Sequence, residues 1–130
     1  MSKTVLIVDD DSKNIFALSA VLRHKGFRIV TANDVKEGLS ILQSDHDIGI
    51  VLSDVMMPGE DGFDLIRKIR GNQRTRNIPV VAVTAQAMSG DEEKCLAAGA
   101  DAYVSKPVNV DKLISILDKY EVGGNENPGE

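Results

Sequence analysis

The sequence has few of the features that mark secreted, membrane or nucleic-acid-binding proteins. It contains one cysteine, Cys95, so no internal disulfide forms and no cysteine metal cluster is indicated. Its longest apolar runs, such as residues 49–52, are far too short to cross a bilayer. The first residues lack the apolar core and cleavage site of a signal peptide. We therefore expect a cytoplasmic protein that does not insert into membranes.

Positive charge is also in deficit. The chain has 20 Asp and Glu residues against 15 Lys and Arg residues, for a net charge of -5. Direct binding to nucleic acid depends largely on neutralising phosphates with basic side chains, so we expect no such partner. The length of 130 residues, of which 42% are hydrophobic and 27% charged, predicts one globular domain with a proper core.

Short apolar runs alternate along the chain with amphipathic stretches. The runs at residues 5–8, 27–32, 48–53, 79–84 and 102–104 are typical of buried strands. Apolar residues recur at helical spacing between them, for example Ile15, Leu18, Val21 and Leu22, and we expect Gly26 and Gly99 to end two of the helices. Strands that are apolar on both faces predict a parallel sheet covered on both sides.

The predicted architecture is therefore an α/β domain with a doubly wound, five-stranded parallel sheet built from five β-α units. We assign residues 1–122 to this domain. Residues 123–130 are Gly, Asn, Glu and Pro, with nothing to bury, and we expect them to form a disordered C-terminal tail.

Polar side chains gather where the predicted strands end. The residues concerned are Asp9, Asp10 and Asp11 after the first strand, Asp54 after the third, Thr84 at the end of the fourth and Lys106 just past the fifth. Sites in open parallel sheets form at this edge. Clustered carboxylates tend to bind Mg²⁺, and a carboxylate can act as a nucleophile toward phosphorus. A metal, a lysine and a hydroxyl would supply the charge neutralisation that phosphoryl transfer needs.

Four motifs in this order resemble those of response-regulator receiver domains in two-component signalling. They are Val8-Asp9-Asp10, Asp54-Val55-Met56-Met57-Pro58-Gly59, Val83-Thr84-Ala85 and Tyr103-Val104-Ser105-Lys106-Pro107. Any one of them alone is a weak signal, but together they are highly specific. The resemblance covers roughly residues 3–120, and it implies a flavodoxin-like (βα)5 fold with strand order 2-1-3-4-5.

The resemblance also implies a role for each matching residue. Asp54 is the phosphoacceptor, Lys106 pairs with it, and Thr84 hydrogen-bonds the phosphate. The implied Mg²⁺ ligands are Asp9, acting through a bound water, the carboxylates of Asp10 and Asp54, and the backbone carbonyl of Met56. Thr84 and Tyr103 form the implied switch, in which Tyr103 swings inward as Thr84 moves.

The implied partners are a histidine kinase or a histidine phosphotransfer protein as phosphodonor, and a downstream protein that reads the switched face. The sequence leaves open whether the chain forms a dimer when it is phosphorylated. The segment at residues 12–18 is similar to receivers attached to hybrid histidine kinases, although free-standing regulators can share it. Receivers serve as switches, so we do not classify the chain as an enzyme.

Two other functions compete with this interpretation. A haloacid-dehalogenase-type phosphatase would use Asp9 as its nucleophile, in the Asp-x-Asp pattern of residues 9–11, but Asp54 would then have no role. A receiver fold can also serve as a binding module that is never phosphorylated, although every expected site residue is present in this chain.

Several other polar residues have ordinary structural interpretations. We expect Asp11 to cap the first helix, and Asn33 or Asp34 to cap the second. Asp64 and Asp101 are interpreted as charges at a helix start and in a turn, and Cys95 as a small apolar residue of the fourth helix.

Overall fold

The computed structural model describes residues 4–44, 47–55, 62–84, 91–106 and 108–120. Within these ranges five strands alternate with five helices. The strands are β1 (Thr4–Val8), β2 (Arg28–Ala32), β3 (Ile48–Asp54), β4 (Val80–Thr84) and β5 (Ala102–Ser105). The helices are α1 (Ser12–His24), α2 (Val35–Ser44), α3 (Gly62–Arg70), α4 (Asp91–Ala98) and α5 (Val110–Lys119).

The strands form one parallel sheet in the order β2-β1-β3-β4-β5. The chain winds from β1 outward to β2, then crosses back over β1 to β3 and continues in the opposite direction. The winding therefore reverses between β1 and β3, which is where ligand sites form in sheets of this kind. The predicted doubly wound, flavodoxin-like fold and its strand order are confirmed.

Each face of the sheet carries its own hydrophobic cluster. One cluster joins the sheet to α2, α3 and α4 through buried residues such as Val35, Leu65 and Cys95. The other joins the opposite face to α1 and α5 through residues such as Leu22 and Leu113. A fully buried Leu or Ile side chain contributes about 1.5–3 kcal/mol of transfer free energy. The two layers of helices are therefore held to the sheet by hydrophobic burial.

Short acidic side chains begin two of the helices. Asp11 accepts hydrogen bonds from the backbone N–H groups of Lys13 at 3.0 Å and Asn14 at 3.4 Å, so it is the N-cap of α1 as predicted. Asp34, rather than Asn33, caps α2, since its carboxylate accepts the N–H of Glu37 at 2.7 Å. Such caps stabilise a helix by about 1 kcal/mol.

The predicted strands agree with the observed ones to within one residue at each end. Val21 recurs at helical spacing with Ile15, Leu18 and Leu22, but 36% of it is exposed. Ile15, Leu18 and Leu22 already fill the stripe of α1 that faces the sheet. Phe16, on another face of the same helix, is 76% exposed.

No helix among the described residues is both long enough and apolar enough to span a membrane. The predicted tail at residues 123–130 and the domain boundary at residue 122 lie outside the described residues.

Candidate functional site

Four neighbouring strands bring the predicted site residues to one edge of the sheet, which we call the carboxyl edge. The register of β1 with β3 places Asp9, directly after β1, beside Asp54 at the end of β3. Along β4 and β5 the register then places Thr84 beside Ser105, and Lys106 follows directly. Side chains that are far apart in the sequence are thus adjacent because parallel strands end together.

Lys106 joins two of the acids. Its ammonium nitrogen Nζ donates to Asp54 Oδ2 at 3.0 Å and to Asp9 Oδ2 at 3.3 Å. Burial by itself lowers the pKa of Lys106, but the hydrogen bonds and negative charges of Asp54 and Asp9 outweigh it, and the net pKa is raised. Lys106 is therefore a cation at neutral pH, although its side chain is only 21% exposed.

The acids form a cluster around this ammonium group. Asp9, Asp10 and Asp54 each offer a carboxylate oxygen, and these oxygens all lie within 4.8 Å of one another. Asp9 and Asp54 are only 2% and 5% exposed, whereas Asp10 is open to solvent. Among the described residues, this cluster of three carboxylates contacts one ammonium group, so negative charge is in excess there.

Asp9 is held by protein donors on both of its oxygens. Its Oδ1 accepts the backbone N–H of Asp11 at 2.9 Å, and its Oδ2 accepts the side-chain amide of Asn14 at 2.6 Å. Of the hydrogen bonds that Asp9 accepts among the described residues, the one from Asn14 is the shortest. The orientation of Asp9 is therefore set by α1 as well as by β1.

This donor set fits a small, hard divalent cation. Mg²⁺ takes one or two carboxylates and completes its shell with waters and phosphate oxygens. An exposed Asp10 beside two buried acids leaves the cluster open to solvent on one side. The arrangement can hold a cation and admit a phosphoryl group beside Asp54.

Thr84 and Tyr103 lie on the face of the sheet that packs against α2, α3 and α4. Successive side chains of a strand point to opposite faces. Tyr103 packs against the cluster that contains Cys95 of α4, whereas Val104 belongs to the cluster beneath α1 and α5. Thr84 is 1% exposed and directly follows Val83, which also belongs to the α1–α5 cluster, so alternation directs Thr84 toward the side of Tyr103.

The structure thus brings Asp9, Asp54 and Lys106 into hydrogen-bonding contact, with Asp10 beside the two acids and Thr84 at the same edge. Tyr103 lies within β5, on the α4 side of the sheet. Met56 lies outside the described residues.

Sequence reasoning missed one residue of the site and misjudged one residue outside it. Asn14 was not singled out, although its place in the first turn of α1, close after the acids, was a usable signal. Asp101 was interpreted as a simple turn charge, but it forms an ion pair with Arg70 at 2.6 Å. That pair lies at the opposite end of the sheet, where β4 and β5 begin, so it is not part of the candidate site.

Comparison with known proteins shows the family to which the chain belongs. Residues 5–118 match the family model described as the response regulator receiver domain. The chain belongs to the response regulator receiver family.

Its relatives include free-standing regulators and part of a kinase. The chain is 32% identical over 120 residues to the polar-differentiation response regulator DivK of Brucella ovis, covering 92% of this chain and 97% of DivK. It is 40% identical over 116 residues to the sensor histidine kinase RcsC of Escherichia coli, covering 89% of this chain but 12% of that protein. Both kinds of context suggested by residues 12–18 are therefore represented among its relatives.

Solved structures agree with the fold. The chemotaxis protein CheY4 of Vibrio cholerae matches with a TM-score of 0.84 at 27% identity, covering 92% of this chain and 99% of CheY4. A response regulator receiver protein from Pseudomonas putida matches with a TM-score of 0.85 at 29% identity, covering 92% and 98%. Receiver domains are phosphoaccepting signalling modules that bind Mg²⁺ at an acidic pocket, and Asp9, Asp10 and Asp54 form an acidic cluster at the carboxyl edge of this chain.

Proposed function

We propose that the chain accepts a phosphoryl group on Asp54 from a phosphohistidine in a Mg²⁺-dependent reaction, and thereby changes the surface that a downstream protein reads. The donor is a histidine kinase or a histidine phosphotransfer protein. One observation carries the proposal: the buried Asp54 carboxylate lies 3.0 Å from the Lys106 ammonium and within 4.8 Å of two further carboxylates.

The chemistry follows from these charges. An Asp54 carboxylate oxygen attacks phosphorus, the new O–P bond forms, and the N–P bond of the phosphohistidine breaks with its electron pair returning to the imidazole nitrogen. Negative charge on the phosphoryl oxygens must be neutralised during the transfer. Lys106 is the cation already positioned for this, because it contacts Asp54 directly.

Mg²⁺ would be held by Asp10 and Asp54 through their carboxylates, by Asp9 through a bound water, and by the backbone carbonyl of Met56. When bound, the ion neutralises the excess of carboxylates and draws phosphoryl oxygens toward Asp54. Without it, the phosphoryl group would approach a site with a surplus of negative charge. We therefore expect phosphorylation to require Mg²⁺.

The switch would use the two faces of the sheet. A phosphate on Asp54 adds a dense anion with strong acceptor oxygens, which should draw the Thr84 hydroxyl and the Lys106 ammonium toward it. Movement of Thr84 leaves space on the α4 side, where Tyr103 packs. The surface formed by α4, β5 and α5 would then change shape, and a downstream partner would distinguish the two states.

The phosphatase alternative fits the geometry less well. A nucleophilic Asp9 would attack through a carboxylate whose two oxygens already accept three hydrogen bonds from protein donors, which leaves about one acceptor position and lowers its nucleophilicity. The unphosphorylated binding module remains the second candidate, and phosphorylation itself distinguishes the two. On the proposed function the chain acts as a cytoplasmic switch rather than as an enzyme.

The test is phosphorylation by acetyl phosphate, followed by intact mass spectrometry, with and without Mg²⁺. Wild type should gain one phosphoryl group only when Mg²⁺ is present. Asp54→Asn should gain none, because an amide is not nucleophilic enough to take the group. Asp64→Asn is the matched control: Asp64 is an exposed aspartate of α3 and should leave labelling unchanged.

Two results would contradict the proposal. An unmodified wild type would favour the binding module. A phosphoryl group that persists in Asp54→Asn, and that peptide mapping places on Asp9, would favour the phosphatase chemistry.

A further inference from the structure

Asn14 connects α1 to the acidic cluster through its side chain. Its amide nitrogen Nδ2 donates to Asp9 Oδ2 at 2.6 Å, a shorter bond than the Asp9 carboxylate makes with the Asp11 N–H or with Lys106. The backbone N–H of Asn14 faces Asp11 Oδ1 at 3.4 Å as part of the helix cap. The cap therefore uses the backbone of Asn14, and the side chain is left to orient Asp9.

The same oxygen of Asp9 is shared with Lys106. Oδ2 accepts from Asn14 at 2.6 Å and from Lys106 at the longer distance of 3.3 Å, while Oδ1 accepts the Asp11 N–H at 2.9 Å. A carboxylate has about four acceptor positions, so these three donors leave about one position for another ligand. Asp9 is only 2% exposed, so bulk water hardly reaches it.

The two donors to Asp9 Oδ2 should respond differently to phosphorylation of Asp54. Under the proposed function, Lys106 is drawn to a phosphoryl oxygen when Asp54 is modified. The Asn14 amide has no charge to be drawn away and sits on a helix anchored by its own cap. Asn14 is thus the donor that keeps Asp9 in place when Lys106 moves.

The side-chain amide of Asn14 is also neutral, which suits a position beside three carboxylates and an ammonium group. A carboxylate at this position would add a fourth negative charge to a cluster that already has three. An ammonium group would compete with both Lys106 and a bound cation. A neutral donor orients Asp9 without changing the charge of the pocket.

We propose that Asn14 is a positioning residue that sets the Mg²⁺ affinity of the pocket by holding Asp9. The inference rests on the proposed function, since it takes the cluster to be the Mg²⁺ site. Partners that hold a metal-binding side chain in place typically account for 10- to 100-fold in metal affinity, and for one neutral donor we expect the low end, about tenfold.

The experiment is a Mg²⁺ titration of the full chain at constant ionic strength, followed by ¹H–¹⁵N NMR because the sequence contains no tryptophan for fluorescence. Asn14→Ala should weaken Mg²⁺ binding about tenfold. In an Asp9→Asn background the same substitution should change the affinity by less than about twofold, because the group through which Asn14 acts has been removed.

Asn72→Ala is the matched control. Asn72 also makes a local hydrogen bond, in which its Oδ1 accepts the Arg74 N–H at 2.9 Å, but it follows the C-terminal end of α3, away from the acids. Its truncation should leave the Mg²⁺ affinity unchanged. Circular dichroism of each variant separates lost affinity from lost folding.

Two outcomes overturn the inference and leave the proposed function standing, provided that wild type binds Mg²⁺ and is labelled on Asp54. One is an unchanged affinity in Asn14→Ala. The other is an equal loss in the wild-type and Asp9→Asn backgrounds, which would mean that Asn14 acts by another route. If wild type itself binds no Mg²⁺, the proposed function fails and the inference fails with it.

Discussion

Each end of the sheet holds a cation against an aspartate, but negative charge is in excess at one end and balanced at the other. At the carboxyl edge, Lys106 contacts Asp9 and Asp54, and Asp10 lies beside them. At the other end, which we call the amino edge, Arg70 forms an ion pair with Asp101 and with no other acid among the described residues.

The amino edge is a closed network. Besides Asp101, Arg70 donates to the backbone carbonyls of Gly99 at 2.9 Å, Arg76 at 2.9 Å and Ile78 at 2.6 Å. Asp101 Oδ2 in turn accepts the N–H of Val80 at 2.9 Å. One guanidinium thus ties the end of α3 to the starts of β4 and β5, with its charge balanced by one carboxylate.

The difference shows how to distinguish a stabilising ion pair from a functional one. At the amino edge the charge of Arg70 is balanced by Asp101, and several backbone carbonyls accept its hydrogen bonds. This network therefore has no excess charge to attract a ligand. Among the described residues, the cluster at the carboxyl edge has three carboxylates and one ammonium group. Repulsion between the carboxylates lowers the stability of the protein, and the excess negative charge favours the binding of a further cation. Substitutions at the two edges should therefore have opposite effects on stability and on labelling.

The largest effect is expected at the amino edge. Arg70→Met should reduce the free energy of unfolding by about 2–3 kcal/mol, because it leaves partly buried acceptors without their donor. Phosphorylation of Asp54 by acetyl phosphate should still reach one group per chain. Urea denaturation followed by circular dichroism measures the stability.

The control for this substitution is Arg67→Met on the same helix. Arg67 forms an exposed ion pair with Asp64 at 2.9 Å, and its loss should cost no more than about 0.5 kcal/mol. Equal losses for the two arginine variants would show that the network around Arg70 has no special weight.

Gly99→Ala should be the next most damaging. Gly99 has a φ of 118°, which alanine rarely adopts, and a Cβ there would lie 2.8 Å from Cγ of Arg70. We expect a loss of about 1–3 kcal/mol, measured by the same denaturation. In an Arg70→Ala background the added loss should shrink, because the clash with Arg70 is gone and only the backbone strain and the 3.3 Å approach to Ile66 Cγ2 remain.

Gly71→Ala is the comparison for this glycine. A Cβ at Gly71 would meet its nearest atom, the carbonyl oxygen of Arg67, at 3.3 Å rather than 2.8 Å. A greater loss for Gly71→Ala than for Gly99→Ala would contradict the argument.

Mg²⁺ should stabilise the protein through the carboxyl edge. At a concentration ten times its Kd, the ion should raise the free energy of unfolding by about 1.4 kcal/mol. The gain should be the same in Arg70→Met, since the amino edge takes no part, and smaller in Asp10→Asn. NaCl at matched ionic strength is the control, and an equal effect of NaCl would indicate screening alone.

The smallest effect is a gain. Asp10→Asn removes one of three clustered charges from an exposed position, and without Mg²⁺ at low salt it should stabilise the protein by about 0.5 kcal/mol. The gain should fade as salt screens the cluster. The same chemical change at the amino edge, Asp101→Asn, should destabilise it. Losses in both variants would refute the contrast between the two edges.

Much of the fold could be predicted because its signals are local. The alternation of apolar runs with helical spacing placed every strand to within a residue at each end, and Asp11 and Gly26 marked the two ends of α1. The exposure of Val21 could not be predicted in the same way. Whether a helical position faces the sheet or solvent depends on how the whole helix is rotated against it.

The site was predictable for a different reason. Asp9, Asp54, Thr84 and Lys106 each follow or end a strand, and parallel strands end at a common edge. Their place could therefore be inferred before any distance was known. The roles assigned to them, and the part of Met56, remain predictions for the labelling and Mg²⁺ experiments.

By itself, the sequence determined the order of the elements, the class of fold and the residues that meet at the carboxyl edge, because these depend on neighbours along the chain and on strand direction. Tertiary structure decided how the donors are shared among the acids, beyond the expected pairing of Lys106 with Asp54. Lys106 is shared between Asp9 and Asp54, and Arg70 reaches Asp101, across separations of 97, 52 and 31 residues. Such pairs are chosen by the packing of helices against the sheet, which sets distances that no local pattern encodes.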